Sequence, residues 1–151
     1  MISAEAQRTT LLALYPLFKE EVYRRRDQIM RWTAVGAGSL FTIVSVLLLV
    51  ADEGRLSTAD RVILACAIVL LAGTFVWLIL QQQHRHRQAK QILIGMEKAL
   101  GLYDQDLFLD QRSLYPEHWQ TDWMHDKAAM FSILLLALFT ILALAATAFI
   151  A

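Results

Sequence analysis

The fold of this chain is decided by residues 32–51, which read WTAVGAGSLFTIVSVLLLVA and carry no charge. Two more uncharged stretches follow, at residues 62–83 and 128–151. An α-helix rises about 1.5 Å per residue, so about 20 residues cross a hydrocarbon core of about 30 Å. Each stretch is long enough. The sequence therefore predicts an all-α integral membrane protein with three transmembrane helices and long cytoplasmic helical extensions.

The composition supports this class. Of the 151 residues, 57% are hydrophobic, more than the roughly 45–50% of soluble domains. The apolar residues are gathered in blocks rather than spread along the chain. The one cysteine, Cys66, lies inside the second stretch and cannot form an intrachain disulfide, so we interpret it as a small packing residue. The net charge is zero and indicates no partner.

Lysine and arginine set the expected orientation, because basic loops stay in the cytoplasm. They concentrate before the first span and between the second and third, so we expect a cytoplasmic N-terminus and an external C-terminus. Seven residues are predicted at the membrane interface, as basic anchors or aromatic belts: Arg24, Arg25, Arg26, Trp32, Trp77, Trp119 and Trp123.

Four segments follow from this topology. They are a cytoplasmic amphipathic helix at 1–31, a transmembrane hairpin at 32–83 with spans 32–51 and 61–83, a cytoplasmic helix and aromatic, acidic loop at 84–127, and a third transmembrane helix at 128–151.

Both cytoplasmic extensions carry an apolar stripe at helical spacing. The N-terminal stripe is interrupted by Pro16, where the helix either kinks or begins anew. The second helix is expected to run from about Thr58, capped by Ser57 or Thr58, to Leu100, with Gly101 as its C-cap. We expect the two stripes to pack together: Leu11, Tyr15, Phe18, Val22 and Ile29 against Leu93, Met96, Leu100 and Tyr103.

The loop at 103–126 is the least regular part of the sequence. Its spaced aspartates begin like a calcium loop but lack the glycine and the final glutamate that such loops use, so no metal site or cofactor is predicted. Pro116 is expected to open a short helix at 117–125. Trp119 and Trp123 would share one face of that helix, suited to the membrane surface or to a partner protein.

A basic cluster follows the second span: His84, Arg85, His86 and Arg87. Arginine forks bind phosphate and carboxylate groups, and histidine adds a hydrogen bond. The cluster is therefore a candidate site for an anionic ligand such as a nucleotide or oligonucleotide. Two other interpretations stay open: a topology signal on a solvated helix face, or a metal site, for which the spacing of His84 and His86 is awkward.

Small and hydroxyl residues in the spans suggest helix packing and a homo-oligomer. Ala34, Gly38 and Thr42 recur at four-residue spacing, as do Ala143 and Thr147 with Ala151. The alternative is tight packing within one protomer. Six hydroxyl residues are candidates to line a narrow pore, although hydroxyls in helices often bond to their own backbone: Thr33, Ser39, Thr42, Ser45, Thr140 and Thr147.

No catalytic motif is present, so an enzyme is not predicted. No charged residue lies within residues 32–51, 62–83 or 128–151, which argues against a pump or a secondary carrier.

The juxtamembrane sequence Tyr23-Arg24-Arg25-Arg26-Asp27 and the helix at 84–103 resemble small membrane effectors of bacterial anti-phage systems, of the SMODS- and SLOG-associating two-transmembrane type and the Hailong type. The resemblance lies in architecture over roughly 11–103, and the third span departs from it. It implies an oligomeric channel in a bacterial inner (plasma) membrane, opened by a cytosolic nucleotide signal. The alternative function is a non-catalytic accessory or assembly subunit of a larger membrane complex.

Overall fold

The computed structural model describes residues 4–50, 57–122 and 127–149. Three long helices dominate it, together with a short hairpin and a one-turn helix. In chain order the elements are α1 (Ala4–Val50), α2 (Thr58–Ala99), β1 (Gln105–Leu109), β2 (Arg112–Ser113), α3 (Trp119–Asp122) and α4 (Ala128–Phe149). Each of α1, α2 and α4 is long and apolar enough to cross a membrane, as the three uncharged stretches predicted.

Helix α1 continues through Pro16 without a break. Of the two alternatives given for Pro16, the start of a new helix is therefore wrong. The proline ring removes the backbone hydrogen bond to the carbonyl of Leu12. Both residues are exposed, so water can satisfy that carbonyl and the helix is not forced to end.

Helix α2 begins and ends with capping interactions that the sequence indicated. The backbone N–H of Asp60 donates to Ser57 Oγ at 3.2 Å, which identifies Ser57 rather than Thr58 as the N-cap. At the other end Gly101 adopts a φ of 74°. Leu102 N–H donates to the carbonyl of Glu97 and Gly101 N–H to that of Lys98, both at 3.0 Å. This is a Schellman motif, the C-cap expected from Gly101.

The loop after α2 contains an antiparallel hairpin that the sequence analysis did not predict. Its two strands pair Gln105 with Ser113 and Leu109 with Arg112. Asp106 has a φ of 64°, where the register shifts, and its Oδ1 accepts the backbone N–H of Gln111 at 2.6 Å. The short helix expected at 117–125 is found only over Trp119–Asp122, as α3. Residues 117 and 118 form a turn before it, and residues 123–125 lie outside the described residues.

The chain divides into two compact units. The first unit comprises Met1–Asp27 and Gln83–Lys127, and the second unit comprises Gln28–Gln82 and Ala128–Ala151. In the second unit α1, α2 and α4 bury an apolar core that includes Leu40, Ile68, Ile79 and Leu136. Gly36 lies within it: a Cβ there would come within 2.9 Å of both Leu136 Cδ2 and Phe75 Cγ.

The first unit packs most of the two stripes that the sequence analysis matched. Ile29 lies in the second unit and belongs to its core, so its expected packing on the α2 stripe is wrong. Val22 of α1 is buried with Ala89 and Leu93 of α2, and Tyr15 and Phe18 pack against them. The remaining residues of the α2 stripe are also buried: Met96, Leu100 and Tyr103.

Candidate functional site

Beyond Gln83, α2 presents two chemically different faces. One face is buried in the first unit and includes three titratable residues: His86, Lys90 and Glu97, with 3%, 7% and 2% of their surface exposed. The opposite face is exposed and includes His84, Arg85 and Arg87. The predicted ligand cluster is thus divided, since His86 points away from the three residues that a ligand can reach.

The two arginines lie at opposite edges of the exposed face. Each helical residue turns by about 100°, so Arg85 and Arg87 are separated by about 200° around α2. Neither forms an ion pair with another described residue. Because of this angle, one chain does not place both guanidinium groups on one small anion.

Glu97 is the centre of a tyrosine cluster in the first unit. Tyr103 donates its hydroxyl to Glu97 Oε2 at 2.5 Å, and Tyr15 donates to Oε1 at 3.2 Å. The hydroxyls of Tyr15 and Tyr115 are 3.1 Å apart. The carboxylate thereby joins α1, α2 and the loop after α2. The apolar stripes did not predict this cluster, because Glu97 is charged. The signal available in the sequence was spacing: Glu97 follows Leu93 of the stripe by four residues, so the two share a helix face.

The cluster raises the pKa of two of its tyrosines, Tyr15 and Tyr103. Burial raises the pKa of Tyr15, and its hydrogen bond to Tyr115 and the charge of Glu97 raise it further. Burial, followed by the hydrogen bond and charge of Glu97, raises the pKa of Tyr103. Both hydroxyls therefore remain donors well into the alkaline range.

The Arg24-Arg25-Arg26 run is not a free basic patch. Arg24 and Arg25 both form ion pairs with Glu21, the second at 2.6 Å. Although burial alone raises the pKa of Glu21, the hydrogen bonds and charges of Arg25 and Arg24 outweigh it, and the pKa lies below its ordinary value. Arg26 is exposed and has no ion pair among the described residues. Within the run it is the residue left available to lipid headgroups.

The candidate pore-lining hydroxyls mostly bond to their own helices. The sequence analysis named this alternative, and the structure shows it for five of the six. Thr33, Thr42, Ser45 and Thr140 donate to the carbonyl four residues earlier, at 2.7–3.0 Å, and Thr147 donates to Leu144 O at 2.7 Å. Ser39, Thr42 and Ser45 follow one side of α1 at three-residue spacing, whereas Thr33 lies about 180° from Thr42.

The two small-residue stripes have different surroundings. On α4, Ala143 and Thr147 are buried, so they pack within the protomer. On α1, Ala34, Gly38 and Thr42 are exposed, and a Cβ at Gly38 would meet nothing within 4 Å. Only the α1 stripe is open to another chain or to lipid.

The described tryptophans differ in exposure. Trp32 is half-buried, with its ring centroid 6.4 Å from that of Phe75. Trp77 is 61% exposed. Trp119 is exposed and its ring lies 5.5 Å from that of Tyr115. Trp123 lies outside the described residues, so the prediction that it shares a face with Trp119 stays a prediction.

An open cavity of about 410 Å³ lies in the first unit. Arg8 lines it from α1, Lys98 from the last turn of α2, and Asp104 and Leu107 from the segment that follows. The lining mixes two cations with one carboxylate and contains no buried titratable group, so it defines no particular ligand.

Comparison of the chain with protein-family models, with curated proteins and with solved structures finds no match. Across 4–50, 57–122 and 127–149, no group of three His, Cys, Asp or Glu side chains is arranged to hold a metal ion. Fold and site together define a helical protein with three helices able to cross a membrane, an exposed cationic helix face and an exposed small-residue stripe.

Proposed function

We propose that the chain is a homo-oligomeric membrane pore in the inner membrane of a bacterium, opened by an anionic nucleotide or oligonucleotide on the cytosolic side. In this proposal α1, α2 and α4 cross the bilayer and the first unit faces the cytosol. The basic segments that belong to the first unit support that orientation.

The exposed stripe of α1 is the observation that carries the proposal. Helices in lipid associate through small residues that let backbones approach, and Gly38 lies on an exposed side of α1 with open space around it. The neighbouring Ser39, Thr42 and Ser45 would bring hydroxyl oxygens to the same contact. These oxygens can still accept hydrogen bonds while donating to their own helix, which gives a mildly polar lining.

The exposed arginines support the gating step. An anion held between Arg85 of one copy and Arg87 of the next would bridge the two chains at α2. Because α2 is one uninterrupted helix from Thr58 to Ala99, a change at the arginines acts on the helix that crosses the bilayer.

The test compares Gly38→Val with Gly73→Val in lipid nanodiscs. Gly73 is also exposed, and a Cβ there also meets nothing within 4 Å, so it is a matched control on α2. We expect the unchanged chain and Gly73→Val to show one discrete homo-oligomer by native mass measurement, and Gly38→Val to lose it. A monomer for the unchanged chain would refute the proposal.

Gating is tested separately on the assembled protein. Conductance in planar bilayers is recorded with ATP and with an oligoadenylate on the side of the first unit. We expect a conductance that Arg85→Ala with Arg87→Ala abolishes while the oligomer mass is kept. If the double variant responds as the unchanged chain does, the arginines do not hold the signal.

One observation favours the second candidate, an accessory subunit of a larger membrane complex. Three consecutive large apolar residues of β1, Leu107, Phe108 and Leu109, are 56%, 44% and 46% exposed. A surface of this kind is typical of a protein interface. A monomer that purifies with another subunit bound through this hairpin would support the accessory function.

A further inference from the structure

We propose that Arg26 of α1 and Arg87 of α2, in one and the same chain, bind the phosphate group of an anionic lipid at the cytosolic surface of the membrane. The site rests on the membrane orientation of the proposed function and needs no second copy. It gives a partner to two exposed cations that the first unit holds close together.

The packing of the first unit brings the two arginines to one height. The two helices run in opposite directions there, because the tyrosine cluster holds the start of α1 against the end of α2. Val22 of α1 packs with Ala89 and Leu93 of α2. Arg26 lies four residues beyond Val22, and Arg87 lies four residues before the midpoint of Ala89 and Leu93. Both are therefore about 6 Å further along their helices, at the same end of the unit.

The two arginines also share one flank of the helix pair. Arg26 follows the half-buried Arg25 by one residue, and Arg87 follows the buried His86 by one residue. Both helices are right-handed and they run in opposite directions, so one residue beyond the packed face leads to the same flank on each helix. Arg85 precedes His86 by one residue and lies on the opposite flank.

The charge of this pair is not neutralised by the described residues. Both arginines are exposed, and across 4–50, 57–122 and 127–149 neither has an ion-pair partner. Residues 84–96 of α2 include no acid. Asp27, which follows Arg26, is turned by about a further 100° away from the packed face. Two guanidinium groups on one flank can thus hold one phosphate group between them.

The position along the helices selects a lipid as the source of that phosphate. Arg26 lies six residues before Trp32, where the first uncharged stretch begins, and Arg87 lies four residues after Gln83, where the second stretch ends. These separations are about 9 Å and about 6 Å of helix. The headgroup region extends about 5–7 Å beyond the hydrocarbon core on each side, so long arginine side chains reach the lipid phosphates.

The proposed signal and the lipid then have one residue in common. Arg85, on the opposite flank, is open to the signal directly. At Arg87 the signal competes with a lipid phosphate that is already bound.

Retention of lipid tests the site. The full chain is assembled in nanodiscs of mixed phosphatidylcholine and phosphatidylglycerol, transferred to mild detergent, and its bound lipids are counted by native mass measurement. We expect the unchanged chain to retain phosphatidylglycerol in preference to phosphatidylcholine. Arg26→Gln and Arg87→Gln should each lower that preference about fivefold. The double variant should lose little more, because either substitution already breaks a shared site.

Arg85→Gln is the matched control. It removes the same charge from the same helix, two residues before Arg87, and all three positions are exposed, so none of the variants disturbs the packed core. The control should keep the lipid preference. An equal loss in all three single variants would mean that total charge alone attracts the lipid, and would overturn the two-arginine site.

A second arm separates lipid phosphate from free phosphate. In nanodiscs of phosphatidylcholine alone, with inorganic phosphate in the buffer, we expect no phosphate to stay bound. Bound phosphate that Arg87→Gln removes would assign the pair to a soluble anion and overturn the lipid as its partner.

The oligomer mass of the same samples distinguishes this site from the proposed function. A monomer that retains phosphatidylglycerol through Arg26 and Arg87 overturns the pore and supports the lipid site. A homo-oligomer without lipid preference overturns the lipid site and leaves the pore proposal standing.

Discussion

The two units of the chain satisfy buried polar groups in opposite ways. In the second unit the buried polar residues among those described are Ser132 and Thr147, whose hydroxyls donate to carbonyls of their own helix at 2.9 and 2.7 Å. In the first unit the buried Glu97 receives hydroxyls from Tyr15, 82 residues earlier, and from Tyr103. The hydroxyls of the second unit have their hydrogen-bond partners as soon as their own helix forms. Glu97 has its hydrogen-bond partners only when the first unit is folded.

The difference shows what holds each unit together. A helix in lipid must satisfy its polar groups locally, so the specificity of the second unit comes from shape, as at Gly36. The first unit relies on hydrogen bonds between separate segments, which water competes for until the segments pack. Substitutions should therefore destabilise one unit at a time.

The largest effect is expected at Glu97. Glu97→Ala leaves the buried hydroxyls of Tyr15 and Tyr103 without their acceptor, at a cost of about 2–4 kcal/mol. Hydrogen exchange should show lost protection within 4–27 and 83–122, with the second unit unchanged. Glu97→Gln keeps an acceptor and should cost less. Equal loss of protection in both units would contradict the division.

Gly36→Ala should act on the second unit instead. The added Cβ would lie 2.9 Å from Leu136 and Phe75 side-chain atoms, and overpacking of this kind costs about 1–3 kcal/mol. The measurement is the unfolding midpoint of the second unit on titration with SDS. Gly73→Ala is the control, since its Cβ meets nothing, and it should not lower the midpoint. Equal midpoints for the two variants would show that the close packing at Gly36 is unimportant.

The smallest effect is expected at Glu21, whose side chain is about one quarter exposed. The pKa of Glu21 in the folded state is lowered from its ordinary value of 4.5. Its ion pairs therefore stabilise the folded state above about pH 4.5, and this stabilisation is lost as the pH falls through the lower pKa of the folded state. At pH 7 the unchanged chain should have a slightly higher thermal unfolding midpoint than Glu21→Gln. The difference should correspond to less than about 1 kcal/mol of unfolding free energy. It should vanish in acid, where Glu21 is protonated. A difference that persisted in acid would exclude the ion pairs as its source. Glu20→Gln, at an exposed neighbour, serves as the control.

Features encoded over a few residues were predicted correctly. The uncharged stretches predicted the three apolar helices, the serine before α2 predicted its N-cap, and Gly101 predicted the Schellman motif. Each of these features is determined by residues that are close together in the sequence. On the two stripes Val22 of α1 and Leu93 and Met96 of α2 are buried, and Tyr15 of α1 is half-buried, as expected for packed apolar residues.

Features that depend on distant contacts were missed. The β1–β2 hairpin has no glycine or asparagine in its turn, Asp110-Gln111, and only three consecutive apolar residues, so neither turn chemistry nor alternation marks it. The burial of Glu97 requires Tyr15 and Tyr103 to meet it. The cluster at 84–87 was treated as one site, although helical rotation separates His86 from its neighbours.

The exposed thiol of Cys66 has a practical consequence for spectroscopy. It is the one cysteine of the chain and lies on α2 beside Val69 and Leu70 at an open apolar depression. A single nitroxide attached there marks each copy once, at the same place. In a symmetric ring the dipolar spectrum then contains one distance for each class of neighbour. In a ring of four or more copies the ratios between those distances give the number of copies without a second engineered residue.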